Sequence, residues 1–168
     1  MNSTLINVPT LVRIKPGVLA RIGIYLKCAG FENVLVLSGQ LPENIKEIAC
    51  AGLKSNAIQT GSWIEITENS FEEAVGLFTT LPKKISAVVG IGGGKALDMA
   101  KYLAFLARLP YIAVPTSLSN DGFCSPQSSL TIKGQRRSLA AALPEGVLID
   151  VEVCLSAPKN LWLSGVGD

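Results

Sequence analysis

A glycine triplet between an apolar run and a helix-like segment constrains the fold of this chain more than any other feature. Residues 85–91 form a short apolar run rich in β-branched side chains, which predicts a strand buried on both faces of a parallel sheet. Gly92, Gly93 and Gly94 follow, and apolar residues then recur every three or four positions, as one helix face requires. A second apolar run at 111–114 completes a predicted βαβ unit.

The position of the glycines predicts a phosphate site. The free N–H groups of a first helical turn and the positive end of the helix dipole favour an anion, and Lys95 adds a positive charge at the same place. The alternative is a tight strand-to-helix turn without a ligand. The motif is not a Walker loop, and Leu97 stands where the last glycine of G-x-G-x-x-G would be.

Two runs carry a resemblance to a known family: GGGKALDMAK at 92–101 and VPTSLSNDG at 114–122. Both are similar to the iron-containing alcohol dehydrogenase and glycerol dehydrogenase superfamily. Within it, Asp121-Gly122 followed by Ser125-Pro126 most resembles the glycerol-1-phosphate dehydrogenase branch. The resemblance implies an enzyme that uses NAD or NADP and a zinc or iron ion.

The resemblance also implies roles for individual residues. The glycine loop would contact the pyrophosphate of the cofactor, and hydroxyl side chains would line the cofactor without opposing hydride transfer. The residues implied are Gly92, Gly93, Gly94 and Lys95 at the phosphates, Asp98 ordering the loop or binding cofactor, Thr116, Ser117 and Ser119 along the cofactor, and Ser125 near the nicotinamide. For any single serine, ordinary turn chemistry is the alternative.

Two aspartates are implied at the reacting end of the substrate. Asp121 would accept hydrogen bonds from substrate hydroxyls, although an isolated Asn-Asp-Gly predicts only a turn. Asp168, in Gly-Val-Gly-Asp at 165–168, would be the first ligand of the catalytic metal. The other ligands in the family are histidines of a helical C-terminal domain, and this chain contains no histidine. The metal site therefore cannot be completed within these residues.

We therefore expect the cofactor half of a two-domain enzyme. Residues 1–156 would form the nucleotide-binding domain and residues 157–168 the start of a truncated helical domain. The partners implied are a small polyol or glycerol phosphate, the missing C-terminal domain, and further copies of the chain in a homo-oligomer.

Composition excludes several other classes. A net charge of +2 is too small to indicate nucleic-acid binding, and no apolar run approaches the length of a membrane span. The first residues lack the pattern of a signal peptide, so a cytoplasmic location is expected. The four cysteines, Cys28, Cys50, Cys124 and Cys154, are far apart and are expected to be free thiols. The absence of histidine excludes a Ser-His-Asp or Cys-His nucleophile within this chain.

The remaining pattern predicts an α/β fold with a doubly wound, mainly parallel, Rossmann-like sheet of about five or six strands. A β-hairpin is predicted at 128–132 and 137–142, with Lys133, Arg136 and Arg137 around its tip as either a substrate-phosphate holder or a solvated end. No acidic residue follows the predicted strand at 33–37, and Ser38 and Gly39 would be able to accept the 2′-phosphate of NADP. The alternative for these two residues is an ordinary strand-to-helix loop.

Four functions remain open at this point. The first is interconversion of glycerol 1-phosphate and dihydroxyacetone phosphate, and its close variant is oxidation of free glycerol. The third is a lyase similar to 3-dehydroquinate synthase, which Asp168 and the sequence after Ser119 disfavour. The fourth is a nucleotide-binding remnant without catalytic activity.

Overall fold

The predicted sheet is present and consists of six parallel strands. The computed structural model describes residues 8–119 and 121–167, excluding the side chain of Trp162. The strands of the sheet are β1 (Leu11–Lys15), β2 (Asn33–Ser38), β3 (Gln59–Glu65), β4 (Ala87–Gly92), β5 (Tyr111–Pro115) and β8 (Gly146–Asp150). Their order is β1-β8-β5-β4-β2-β3, and every neighbouring pair is parallel. The glycine loop thus follows a central strand.

Helices cover both faces of the sheet. They are α1 (Ile22–Cys28), α2 (Glu43–Lys54), α3 (Phe71–Thr79), α4 (Gly94–Ala107), α5 (Val151–Ser156) and α6 (Lys159–Gly167), with a 3₁₀ turn at Leu19–Arg21 before α1. Alternate residues of β2 point to opposite faces, so Val34 and Val36 pack with α1 and α2 while Leu35 and Leu37 pack with α4. The doubly wound prediction is confirmed. Within the described ranges, no helix combines the length and apolar character needed to cross a membrane.

The predicted hairpin is also present and forms a separate antiparallel sheet of β6 (Gln127–Ile132) and β7 (Gln135–Ala140). Leu130 is fully buried in the same hydrophobic cluster as Met99 and Leu103 of α4. The Asn69 carbonyl accepts a hydrogen bond from the Thr131 backbone at 2.9 Å, and the Asn69 side-chain amide donates to the Ser129 carbonyl at 2.9 Å. The hairpin is therefore held against the face of α4.

Three local features differ from the predictions. The helical spacing of residues 18–28 predicts one helix, whereas the structure has a 3₁₀ turn before α1. The sequence predicts a short strand at 63–66, whereas β3 begins at Gln59. The first half of β3 is exposed, so it carries little hydrophobic signal in the sequence. Helix α5 was not predicted, since its six residues are too few to show a helical period.

Asp150, the last residue of β8, ties the first part of the chain to the last. Its carboxylate accepts hydrogen bonds from the backbone N–H of Leu19 at 2.9 Å, of Gly17 at 3.2 Å and of Glu152 at 3.1 Å. The third bond caps α5 at its N-terminus. One buried carboxylate thus satisfies backbone donors from both ends of the chain.

Candidate functional site

The loops after three neighbouring strands meet at one edge of the sheet. Strands β2, β4 and β5 are parallel neighbours, so their carboxyl ends lie side by side. The backbone N–H of Gly39 donates to the Ile91 carbonyl at 3.0 Å, and that of Thr116 donates to the Gly92 carbonyl at 3.0 Å. Ligands of open α/β sheets bind outside this edge, where the strand order reverses.

The first two glycines of the triplet have different structural roles. Gly92 has φ +145°, and a Cβ atom there would lie 3.0 Å from the backbone nitrogen of Gly39. Gly93, the N-cap of α4, has φ −84° and ψ −175°, a conformation open to any residue. The nearest atom to a Cβ at Gly93 would be the Ser117 hydroxyl oxygen, at 3.8 Å. The fold therefore requires glycine at 92, whereas at 93 it leaves open space.

A cleft of about 440 Å³ lies beside this loop. Its lining consists of Gly39, Gln40, Glu65, Ile66, Thr67, Gly93, Gly94, Lys95 and Ala96. The N-terminus of α4 and the exposed Lys95 make the cleft positive beside the glycine loop, and Glu65, the last residue of β3, is an acidic residue of the same lining. Glu65 and Thr67 were not predicted. Their position at or just after the end of β3 was the available signal, since parallel strands end at a common edge.

Ser38 does not line this cleft, although it was predicted as a possible acceptor for a 2′-phosphate. The residue is 2% exposed, and its hydroxyl accepts a hydrogen bond from the Trp63 indole N–H at 2.9 Å. Of the two residues proposed for that contact, Gly39 borders the cleft and Ser38 supports the strand beneath it.

A second, more polar cleft of about 300 Å³ lies between α4, the segment 121–126 and the hairpin. Its lining consists of Asp98, Asp121, Gly122, Ser125, Gln127, Ser129, Arg136 and Ser138. Three predicted site residues, Asp98, Asp121 and Ser125, therefore lie together, apart from the residues that line the glycine-loop cleft. The backbone N–H groups of Cys124 and Ser125 donate to the Asp121 carbonyl at 2.8 and 3.1 Å, which closes a tight turn.

The basic residues of the hairpin separate onto two faces. Arg136 lines the polar cleft, and its Nε donates to the Ser129 hydroxyl at 2.5 Å. Lys133 and Arg137 line a different groove, and Arg137 donates to the Gln135 side chain at 2.8 Å. Successive strand residues point to opposite faces, which explains why neighbouring arginines diverge. A cation at the polar cleft is thus provided by Arg136.

Asp98 is an unusual carboxylate because it is 7% exposed. Burial raises the pKa of the Asp98 carboxyl above its usual value, while Lys101, a backbone hydrogen bond from Ser129 and the charge of Arg136 oppose that shift. Asp98 thus lines the polar cleft and not the cleft beside the glycine loop.

Comparison with known proteins identifies the family of this chain. The family model of iron-containing alcohol dehydrogenases matches residues 13–158. The chain belongs to this family. The resemblance inferred from the two glycine- and serine-containing runs is confirmed.

Several relatives of this chain are named glycerol-1-phosphate dehydrogenase [NAD(P)+]. The protein of Metallosphaera sedula is 33% identical over 169 residues, which cover 98% of this chain and 47% of that protein. The protein of Cenarchaeum symbiosum is 34% identical over 172 residues, which cover 100% of this chain and 48% of that protein. The chain thus spans about half the length of the curated relatives that it matches.

Solved structures show the same fold. The glycerol dehydrogenase of Schizosaccharomyces pombe has a TM-score of 0.80 and 26% identity, covering 100% of this chain and 44% of that chain. The NADH-dependent butanol dehydrogenase A of Thermotoga maritima has a TM-score of 0.82 and 23% identity, covering 100% of this chain and 49% of that chain. The Rossmann-like prediction is confirmed by these neighbours.

Ser119, another residue predicted to contact the cofactor, lies beside α6. A Cβ at Gly165 of α6 would overlap the Leu118 carbonyl oxygen, and the Ser119 Cα would lie 3.5 Å from it. Asp168, the predicted metal ligand, lies outside the described residues. Among those that are described, no group of three or more His, Cys, Asp or Glu side chains is placed to hold a metal. The metal assignment to Asp168 stays a prediction.

Proposed function

We propose that this chain is the cofactor-binding part of an NAD(P)-dependent dehydrogenase that interconverts glycerol 1-phosphate and dihydroxyacetone phosphate. The observation that carries the proposal is the cleft at the N-terminus of α4, in a chain 33–34% identical to proteins named for that activity. Membership of the iron-containing alcohol dehydrogenase family favours a dehydrogenase over a lyase similar to 3-dehydroquinate synthase.

In this proposal the glycine loop holds the pyrophosphate of the cofactor. Gly93 and Gly94 present backbone atoms to the cleft without side chains, and the first-turn N–H groups of α4 favour negative charge. Lys95 adds a mobile cation at the same wall. Gly92 contributes indirectly, because its backbone conformation turns the chain from β4 into α4. When bound, the nicotinamide would accept or donate a hydride at C4.

The second cleft is the proposed site of the polyol. The Asp121 carboxylate would accept hydrogen bonds from substrate hydroxyls, and Ser125 would contribute a hydroxyl close to the nicotinamide. Arg136 would supply positive charge for a phosphorylated substrate.

The metal, domain and assembly assignments belong to the same proposal. Asp168 would provide the first ligand of a zinc or iron ion that polarises the reacting oxygen, and the other ligands would come from outside this chain. Residues 1–156 form the nucleotide-binding domain in this proposal, residues 157–168 begin the helical one, and the intact protein assembles as a homo-oligomer.

A second candidate is oxidation of free glycerol. The observation that favours it is the likeness to the glycerol dehydrogenase of S. pombe over the whole of this chain. The two candidates differ in one group, the phosphate. Initial rates of the full-length protein with glycerol 1-phosphate and with glycerol separate them: the proposal predicts a higher kcat/KM for the phosphorylated substrate, and a higher value for glycerol would replace it with the second candidate.

The cofactor assignment is tested by Gly93→Ala in the full-length protein, with NADH and NADPH binding followed by fluorescence. The added methyl would meet Ser117 only at 3.8 Å, but it would occupy the wall that the pyrophosphate must approach. We expect the Kd for the preferred cofactor to rise at least about tenfold. Gly76→Ala is the matched control, because no atom lies within 4 Å of its added Cβ. An unchanged Kd in folded Gly93→Ala would refute the loop assignment.

The substrate assignment is tested by Asp121→Asn. Loss of the negative charge should weaken hydrogen bonds from the polyol hydroxyls while leaving the glycine-loop cleft intact. We expect kcat/KM to fall by about one to two orders of magnitude with less than a twofold change in the cofactor Kd. A normal kcat/KM would remove Asp121 from the site. Bound cofactor without any turnover by the full-length wild-type protein would favour the nucleotide-binding remnant.

A further inference from the structure

Helix α4 contains a lysine that is closed off from solvent. Lys101 has an exposed fraction of 0%, and it stands between the buried residues Ala100 and Tyr102. Lysine is almost never fully buried unless it is paired, because an ammonium group loses its hydration when it leaves water. The roles assigned so far to the glycine loop and to Asp121 do not use this side chain.

The Lys101 ammonium has two hydrogen-bond acceptors and one carboxylate counter-ion, on two different parts of the fold. It donates to the Gly122 carbonyl at 2.6 Å and to the Gln127 carbonyl at 2.7 Å. The Asp98 carboxylate, one helical turn earlier, lies 3.7 Å away. An ammonium has three N–H donors, so this set of oxygens matches the charged form. Burial lowers the pKa of Lys101, and the charges of Asp98 and Asp121 oppose that shift.

The two carbonyls bracket the segment that forms one wall of the polar cleft. Gly122 directly follows Asp121, Gln127 begins β6, and Ser125 lies between them. The turn from Asp121 to Ser125 has internal hydrogen bonds, which fix its shape. The bonds from Lys101 fix its place against α4, the helix that begins at the glycine loop. One side chain thus joins the wall of the polar cleft to the helix whose other end borders the cofactor cleft.

We propose that Lys101 is a positioning residue for the substrate: its ammonium holds the segment 121–127 against α4 so that Asp121 and Ser125 face the polar cleft. The expected effect on the substrate KM rests on the proposed function. The expected effect on the position of the segment 121–127 rests on the two carbonyl contacts. Asp98 acts in it as the counter-ion of Lys101 rather than as a cofactor ligand.

The test replaces Lys101 with methionine, which has a similar length and no donor, in the full-length protein. We expect KM for the polyol substrate to rise at least tenfold while the NADH Kd changes less than twofold. Amide hydrogen exchange within 121–127 should accelerate at least tenfold. Lys101→Arg retains a cation and several donors. It should therefore show a substrate KM and an amide exchange rate within 121–127 that are close to those of the wild type.

Leu103→Ala is the matched control for loss of stability. Leu103 is on the same helix and fully buried, and it makes apolar contacts rather than the bonds to 122 and 127. It should lower the Tm while leaving the substrate KM and the exchange of 121–127 near wild type. If Lys101→Met does not fold, Lys101→Gln, whose amide retains two N–H donors, should raise the KM at least threefold.

The outcomes separate this inference from the proposed function. Unchanged amide exchange within 121–127 in Lys101→Met would overturn the positioning role. Equal changes in exchange and in the substrate KM in Lys101→Met and Leu103→Ala would also overturn it. Accelerated exchange with an unchanged KM would also overturn it, because the segment would then be held for stability alone. Accelerated exchange in a protein that turns over neither glycerol 1-phosphate nor glycerol would support the tether and refute the proposed function instead.

Discussion

Replacing Gly92 with alanine should destabilise the fold, whereas the same change at Gly93 should not. At φ +145° an alanine is strained by about 1–3 kcal/mol. Its Cβ would also lie 3.0 Å from the Gly39 nitrogen, which donates to Ile91, so relaxation would disturb that hydrogen bond. Together these effects predict a loss of about 2–3 kcal/mol in the free energy of unfolding.

Gly93→Ala provides the matched comparison one residue further along the chain. Its backbone angles suit alanine, and the nearest atom is 3.8 Å from the new Cβ. Alanine is a weaker N-cap than glycine, but it also reduces the entropy of the unfolded chain, so these effects offset each other to within about 0.5 kcal/mol.

Thermal unfolding of the full-length protein measures both changes. For a domain of this size each kcal/mol shifts the Tm by roughly 2–4 °C, so Gly92→Ala should lower it by about 4–12 °C and Gly93→Ala by less than about 2 °C. Equal shifts for the two variants would refute the assignment of one glycine to the fold and the other to the ligand. So would a wild-type Tm for Gly92→Ala.

Three further predictions concern other parts of the molecule. Gly165→Ala should detach α6 from the Leu118 carbonyl and accelerate amide exchange across α6, whereas Gly167→Ala, with no atom within 4 Å of its Cβ, should not; equal exchange in the two variants would contradict the packing. Asp150→Ala should lower the urea-derived free energy of unfolding by about 3 kcal/mol, because three backbone donors lose their acceptor, and Asp150→Asn should lose less. Burial raises the pKa of the Cys154 thiol from 9.0 to about 11, and the charge of Asp150 adds to the shift. The folded state therefore favours the neutral thiol, and this contribution to the free energy of unfolding is present below pH 9 and lost by about pH 11. Over that range the wild type should lose about 2–3 kcal/mol more than Cys154→Ala, and parallel pH profiles would show that the thiol does not titrate differently on unfolding.

The central βαβ unit was predictable because its signals are local. The apolar run before Gly92, the helical period after Gly94 and the second apolar run each specify one element within a few residues. The family resemblance depends on the same segment, so the fold and the glycine-loop cleft could both be anticipated from it.

The polar cleft was less predictable because it depends on contacts between distant residues. Asp98 and Lys101 could be placed on one helix face from their spacing, but nothing in the spacing places them beside Gln127, which follows 26 residues after Lys101. A charged pair within the apolar part of α4 at 96–107 was the available signal. It indicates that a polar partner exists without identifying that partner.

Ser38 illustrates the same limit at the other cleft. Its position at the end of β2 suggests a ligand contact. Position alone does not reveal that its hydroxyl accepts a hydrogen bond from the Trp63 indole N–H. Strand β3, which supplies Trp63, begins in an exposed polar stretch that carries little hydrophobic signal. Tertiary packing therefore decides the role of Ser38.

The contact between Gly165 and the Leu118 carbonyl has a mechanical consequence. It joins backbone to backbone, so no side chain at position 165 separates α6 from the loop that follows β5. The segment it touches also places Ser117 beside Gly93. Gly165 lies six residues after Lys159, roughly 9 Å along the helix, so a rotation of roughly 10° about this contact would move the Lys159 end by about 1.6 Å. The residues near Gly165 would stay beside Leu118 and Ser119 during that rotation, which makes the contact a fixed point between α6 and the loop that follows β5.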